Sequence, residues 1–184
     1  ERFFPGEEIL SLPVADGGEG SVDAFLEAVG GQKKTVRVTG PLGEPMESFY
    51  GILADGKTAV IEMAACAGLP LVEGRENPEK TTTYGVGELL LAARDAGCRE
   101  VILGLGGSCT NDGGAGAAAA LGAKFTKAGG EAFIPTGGTL SQIAEVDCSP
   151  VQEALRGMNV QVMCDIDNPL FGKTGAAAVF APQK

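Results

Sequence analysis

Val101-Ile102-Leu103-Gly104-Leu105-Gly106-Gly107-Ser108-Cys109-Thr110-Asn111-Asp112-Gly113-Gly114, running on into Ala115-Gly116-Ala117-Ala118-Ala119-Ala120-Leu121, is the stretch that decides the fold. Its unbroken apolar start is the mark of a strand buried on both faces. A small, polar loop follows, and then a helix of such small residues that only close packing on a neighbour would require it. Strand, loop and helix in that order make a βα unit. The order recurs upstream, where Glu8–Val14 reads as a strand running into Asp16-Gly17-Gly18-Glu19-Gly20. Val22, Ala24, Phe25, Leu26, Ala28 and Val29 then recur at helical spacing before the stop at Gly30-Gly31. Downstream, the strand Val160–Cys164 ends in Asp165-Ile166-Asp167-Asn168-Pro169.

The segments between interrupt this pattern. Lys34–Thr39 alternates polar and apolar as a half-buried strand does, and Pro41-Leu42-Gly43 turns the chain. Phe49–Leu53 and Thr58–Glu62 flank Asp55-Gly56, the strongest hairpin signal present. The spacing predicts a helix over Val86–Ala96 capped by Gly97, a second hairpin turn at Lys127–Gly130, a loop at Pro135–Gly138 and a helix around Val151–Leu155. The expected fold is α/β: a mixed, mostly parallel sheet, helices on both faces, and an antiparallel hairpin insertion.

Composition then narrows the chemistry. The 184 residues include 29 glycines and 10 prolines, yet 44% are hydrophobic, enough to fill a core. Histidine is absent, which excludes Ser-His-Asp and Cys-His sites, histidine-ligated zinc and histidine bases. A balance of 24 acidic to 14 basic residues leaves a net charge of -10 and argues against nucleic-acid and anionic-membrane partners. No run of 18 apolar residues suggests a membrane span, and Glu1–Pro5 does not read as a leader. The five cysteines include no C-x-x-C pair, which suits a reducing cytoplasm.

Three loops at strand ends are expected to gather at one edge of the sheet, where open α/β sheets bind ligands. In the first, Gly17 and Gly18 let backbone approach a ligand, and Asp16 and Glu19 either act there or cap the following helix. In the second, amides or hydroxyls of Gly106, Gly107, Ser108, Thr110, Asn111, Gly113 and Gly114, with Asp112 beside them, are expected to converge where the Ala-rich helix begins as a nest for phosphate or carboxylate, or else to make a tight turn for close helix packing. It is no dinucleotide fingerprint, because that spacing would need glycine at Cys109. In the third, Asp165 and Asp167 leave an extended strand on the same face, so both can point at one Mg²⁺ or one proton in transfer; an Asx-turn before Pro169 is the alternative. Asn168 belongs to the same loop. Glu62 either reaches this edge from its own strand or is solvated there. Thr81-Thr82-Thr83 reads mainly as capping, Lys184 as an isolated terminal lysine, and Gly172-Lys173-Thr174 imitates a P-loop without the context of one.

Leu12-Pro13-Val14-Ala15-Asp16-Gly17-Gly18-Glu19-Gly20-Ser21-Val22-Asp23-Ala24 resembles the L-P-V-A-D-G-G-E-G-T-V-D-A segment of bacterial glycerate kinases of the first class. Thr39–Pro45, Ala59–Ala65, Thr82–Leu89, Gly106–Gly116, Cys164–Leu170 and Gly175–Lys184 extend the resemblance, in order, along the chain. Cys109 stands where alanine is common, and Ala181 where glycine is. The resemblance covers the central part of such a kinase, without its P-D-S-F-K-type opening or its continuation beyond P-Q-K. It implies residues 1–40 as a flank of a first α/β domain and 41–184 as a central α/β domain. It further implies transfer of the γ-phosphoryl of ATP to a hydroxyl of D-glycerate with Mg²⁺, in the cytoplasm, with a homodimer as the assembly to test. For such a reaction the residues expected to act are Asp165 and Asp167 for metal and base, Asp16 and Glu19 from across the site, and the 106–111 loop for phosphate or the glycerate carboxylate, with the acid that deprotonates the hydroxyl left open. A metabolite-binding module without turnover and a nicotinamide-dependent hydroxy-acid oxidoreductase are the rival readings of the same loops.

Overall fold

The computed structural model describes Phe3, Glu8 and residues 13–184. The strand expected over Glu8–Val14 falls largely outside the described residues. From there the chain forms helix α1 (Ser21–Val29), strands β1 (Gly31–Thr39), β2 (Pro45–Leu53) and β3 (Thr58–Glu62), and the short helix α2 (Ala64–Ala67). Helix α3 (Tyr84–Asp95), β4 (Glu100–Gly104) and α4 (Ala115–Ala120) follow. The remainder is β5 (Lys124–Thr126), β6 (Ala132–Phe133), β7 (Glu145–Asp147), α5 (Ser149–Ala154), β8 (Asn159–Met163) and α6 (Ala176–Phe180).

The main sheet has the order β1-β2-β3-β4-β8. β1 and β2 pair antiparallel over their whole length, as do β2 and β3 over a short register, while β3-β4 and β4-β8 are parallel. The mixed sheet is as expected, with its pairings divided equally between the two senses. The β2–β3 hairpin turns where Asp55-Gly56 places it. Gly56 is left-handed at φ 66°, and Asp55 Oδ1 accepts hydrogen bonds from the amides of Lys57 (2.8 Å) and Thr58 (2.9 Å). A separate three-stranded antiparallel sheet, β6-β5-β7, contains the second expected hairpin. β7 is too short and too exposed for any alternation to announce it. A 3₁₀ helix spans Gly137–Gln142, partly overlapping the loop expected at Pro135–Gly138.

Helices cover both faces, and β2 shows why. Tyr50 points into the main core and its hydroxyl donates to the Ala92 carbonyl of α3, whereas its neighbour Gly51 faces Val22 and Leu26 of α1. The core gathers Val38, Ala59, Ile61, Val86, Leu89, Ala93, Val101 and Leu103 on the α3 side. Ile102 is only half-buried, so among the described residues β4 is sealed more fully on one face than on the other. The Ala-rich helix α4 packs on α3 as closely as its composition demands. A Cβ added to Gly87 of α3 would lie 2.7 Å from the Ala120 Cβ. No helix among the described residues is long and apolar enough to cross a membrane.

Candidate functional site

Sheet register builds the site. Parallel pairing sets Glu62 opposite Gly104 and Gly104 opposite Met163, so β3, β4 and β8 end side by side at one edge. Loop 16–20 crosses that edge. The Gly106 amide donates to the Gly17 carbonyl (3.0 Å), and the Leu105 amide donates to the Met163 carbonyl (3.2 Å). The first two loops therefore touch, and the third begins beside them at the end of β8.

Several glycines serve this meeting directly. A side-chain carbon added at Gly104 would penetrate the Gly17 carbonyl group. One added at Gly106 would lie 2.8 Å from the Gly18 Cα. These residues are small so that backbone can lie on backbone. With its amide already given to Gly17, Gly106 contributes closeness to the expected nest, and no donor. Gly107, left-handed at φ 71° and exposed, lies beside the Glu19 side chain, with a Cβ position 3.9 Å from Glu19 Oε1.

Two of the expected ligand carboxylates prove to be internal braces. Glu62 is 3% exposed. Its Oε2 accepts from the Val22 amide (2.9 Å) and its Oε1 from the Gly20 amide (3.3 Å). The free amides that begin any helix are here capped from the neighbouring strand. This corrects both the solvated reading of Glu62 and the capping alternative for Asp16 and Glu19. Asp16 Oδ1 instead accepts from the Gly18 amide within its own loop (3.0 Å). Both Asp16 and Glu19 are exposed. Asp112 is 1% exposed. Its Oδ2 accepts from the Thr83 amide (2.8 Å), the Thr83 hydroxyl (2.9 Å) and the Gly116 amide (3.1 Å), and its Oδ1 accepts from the Gly114 amide (3.0 Å). The start of α4 is thereby occupied, so an anion has no use of those amides.

Thr81-Thr82-Thr83 does more than cap α3. The Thr81 hydroxyl donates to the Cys109 carbonyl (2.8 Å), and the Thr83 hydroxyl accepts from the Ala117 amide (2.9 Å). The triplet latches loop 104–114 to α3. Only Thr82 Oγ1 serves the helix start, accepting from the Tyr84 amide (3.1 Å). Behind the latch, burial pushes the Cys66 thiol up to about 12 and the Cys109 thiol up to about 11. Both are neutral packing groups at ordinary pH.

The third loop leaves β8 with Asp165 and Asp167 exposed, while the Asn168 side-chain amide donates to the Thr174 carbonyl (2.9 Å). Among the described residues no group of three acidic, cysteine or histidine side chains could hold a metal. Asp165 and Asp167 present two exposed carboxylates, the donor type that Mg²⁺ takes one or two of together with waters and substrate phosphates.

Lys184 lies in this site, contrary to its reading as an incidental terminal residue. Its ammonium donates to Ser108 Oγ (2.7 Å) and to the Thr110 carbonyl (3.0 Å). Partial burial lowers its affinity for the proton. The residue types of a single strand end could not reveal this contact, which joins positions 76 apart in sequence. Two concavities lie elsewhere. One of about 560 Å³ lies against Gly31, Leu53 and Ala96, and one of about 440 Å³ against Thr39, Lys80, Tyr84 and Thr136. The loop cluster is marked by its chemistry: exposed Asp16, Glu19, Asp165 and Asp167, together with the Lys184 ammonium.

A fold of this kind, with acidic and glycine-rich loops collected at the carboxyl ends of adjacent parallel strands, defines an α/β protein of the class that takes ligands at its sheet edge. More narrowly, residues 1–184 match the family model described as the Glycerate kinase family, and the chain belongs to that family. It is 53% identical to a glycerate kinase of Bacillus subtilis, over 100% of this chain and 48% of the relative. It is 47% identical to a glycerate 2-kinase of Escherichia coli, over 100% of this chain and 48% of the relative. A crystal structure of a glycerate kinase 2 candidate from Salmonella typhimurium LT2 superposes with a TM-score of 0.88 at 48% identity, covering 97% of this chain and 49% of that one. The chain thus spans about half the length of the relatives it matches.

Proposed function

We propose that the protein of which these residues form the described part is a glycerate kinase, transferring the γ-phosphoryl of ATP to a hydroxyl of D-glycerate. The observation that carries this reading is the register that aligns Glu62, Gly104 and Met163, and with them all three loops, at one sheet edge. Phosphoryl transfer asks for positioning and charge stabilisation more than covalent chemistry, and carboxylates with backbone amides supply both without histidine.

In this reading Gly107, Ser108, Thr110 and Asn111 offer amides and hydroxyls to a phosphate or to the glycerate carboxylate. Asp165 and Asp167 would hold Mg²⁺, which when bound neutralises charge on the phosphates. One of these two carboxylates accepts the proton of the attacking hydroxyl, and Asp16 and Glu19 bound the site from loop 16–20. Glu62 and Asp112 act at one remove: with their oxygens occupied by backbone, they hold the loops in register. The likeness to a glycerate 2-kinase supports the 2-hydroxyl as acceptor. Five free thiols support a cytoplasmic setting.

The test is release of ADP on mixing the full-length protein with MgATP and D-glycerate, with the phosphorylated position read by NMR of the product. Asp165→Asn and Asp167→Asn should each lower kcat by about a hundredfold or more. Near-parental rates in both would remove that pair from the mechanism.

A further inference from the structure

The ammonium of Lys184 is a half-buried cation held by neutral oxygens. Ser108 Oγ and the Thr110 carbonyl take two of its donors, at 2.7 and 3.0 Å, and it forms no ion pair among the described residues. An ammonium has three N–H donors. Withdrawing its charge partly from water carries a cost that neutral oxygens offset incompletely, while an anion arriving at the third donor offsets it well. The buried carboxylate of Asp112, which acts on Lys184 through space, cannot be that anion, since its oxygens are engaged by Thr83, Gly114 and Gly116. Beside the ammonium, the amides of Ser108 and Thr110 donate to no group among the described residues.

We propose that Lys184 is a substrate-anion-binding residue, whose ammonium, steadied by Ser108 and Thr110, holds an anionic oxygen of the reactants over loop 106–111. The oxygen belongs either to a phosphate of the nucleotide or to the carboxylate of the hydroxy acid. The identity of these ligands rests on the kinase reading, while the anion site itself rests on the Lys184 geometry.

The experiment compares Lys184→Met, which keeps length and removes charge, with Lys184→Arg, which keeps charge, both in the full-length protein. Steady-state KM is measured separately for MgATP and D-glycerate, with circular dichroism confirming the fold. Lys184→Met is expected to raise KM about tenfold or more for one of the two. The ligand affected identifies the source of the oxygen. Lys184→Arg should stay within about threefold of the parent, on the same charge argument. The proposal is overturned by unchanged KM for both ligands, by a loss confined to kcat, by equal impairment in the two variants, or by failure of both to fold, which would make Lys184 a structural clamp. If the parent itself releases no ADP, the kinase reading fails separately. Lys184 is then tested by calorimetric titration with inorganic phosphate, where binding by the parent and not by Lys184→Met supports the site, and no binding by the parent overturns it.

Discussion

Asp112 and Glu62 show how much a buried carboxylate can organise when every oxygen has a backbone donor. Replacing Asp112 by alanine leaves the amides of Thr83, Gly114 and Gly116 and the Thr83 hydroxyl without their acceptor. The expected cost is about 3–5 kcal/mol in chemical denaturation. Glu62→Gln keeps one acceptor but turns an amino group toward the start of α1, at about 1–3 kcal/mol. Neither effect is visible in residue type, because an acid near glycines reads equally as ligand or as cap. Cys66 makes a second case. Its folded-state pKa of about 12 stands above the ordinary 9.0, so its contribution to stability is complete below about pH 9 and is lost as pH rises toward 12. The melting temperature of the parent should therefore fall between pH 8.5 and 11, and that of Cys66→Ala should fall less over the same range.

Among the elements, the glycines separate two kinds of constraint. Gly87 lies inside α3, where alanine would favour the helix by about 1 kcal/mol. Its added carbon, however, would meet the Ala117 carbonyl and the Ala120 Cβ of α4. Gly87→Ala should therefore destabilise by about 1–3 kcal/mol net, measured by urea unfolding. Gly104→Ala would drive loop 16–20 off the end of β4, and a loss of ligand binding larger than its loss of stability is expected from calorimetry of the folded variant. The hairpin turn and the end of α3 were legible because local physics decides them, whereas α3 and α5 each begin two residues before the expected start. Asp55-Gly56 turns by side-chain acceptance and a positive φ, and Gly97, at φ 94°, ends α3. β7 and α2 were not legible. Three and four residues long, they are too short to show a period, and tertiary contacts hold them.

For the whole molecule, burial separates an inner set of thiols from an outer one. Cys66, Cys98 and Cys109 are buried, whereas Cys148 and Cys164 are exposed. A chromogenic disulfide should label the outer pair quickly and the inner three only on unfolding, with mass spectrometry assigning the sites. Fast native labelling of Cys109 would contradict the latch made by Thr81. The apolar run at 101–103, the hairpin signal and the three polar loops determined an α/β chain with a mixed sheet and ligand loops at strand ends, because strand period and turn chemistry are local. The sequence also carried the family resemblance, because seven motifs in one order are a property of the chain itself. Which residues within those loops face solvent was decided by the tertiary structure alone. Parallel register brings Glu62, Gly104 and Met163 together, and burial then turns Glu62 and Asp112 inward as braces while Asp16, Glu19, Asp165 and Asp167 stay exposed. The same long-range packing carries Lys184 to Ser108, a contact that no local pattern encodes because its energy is realised only once the loops have met.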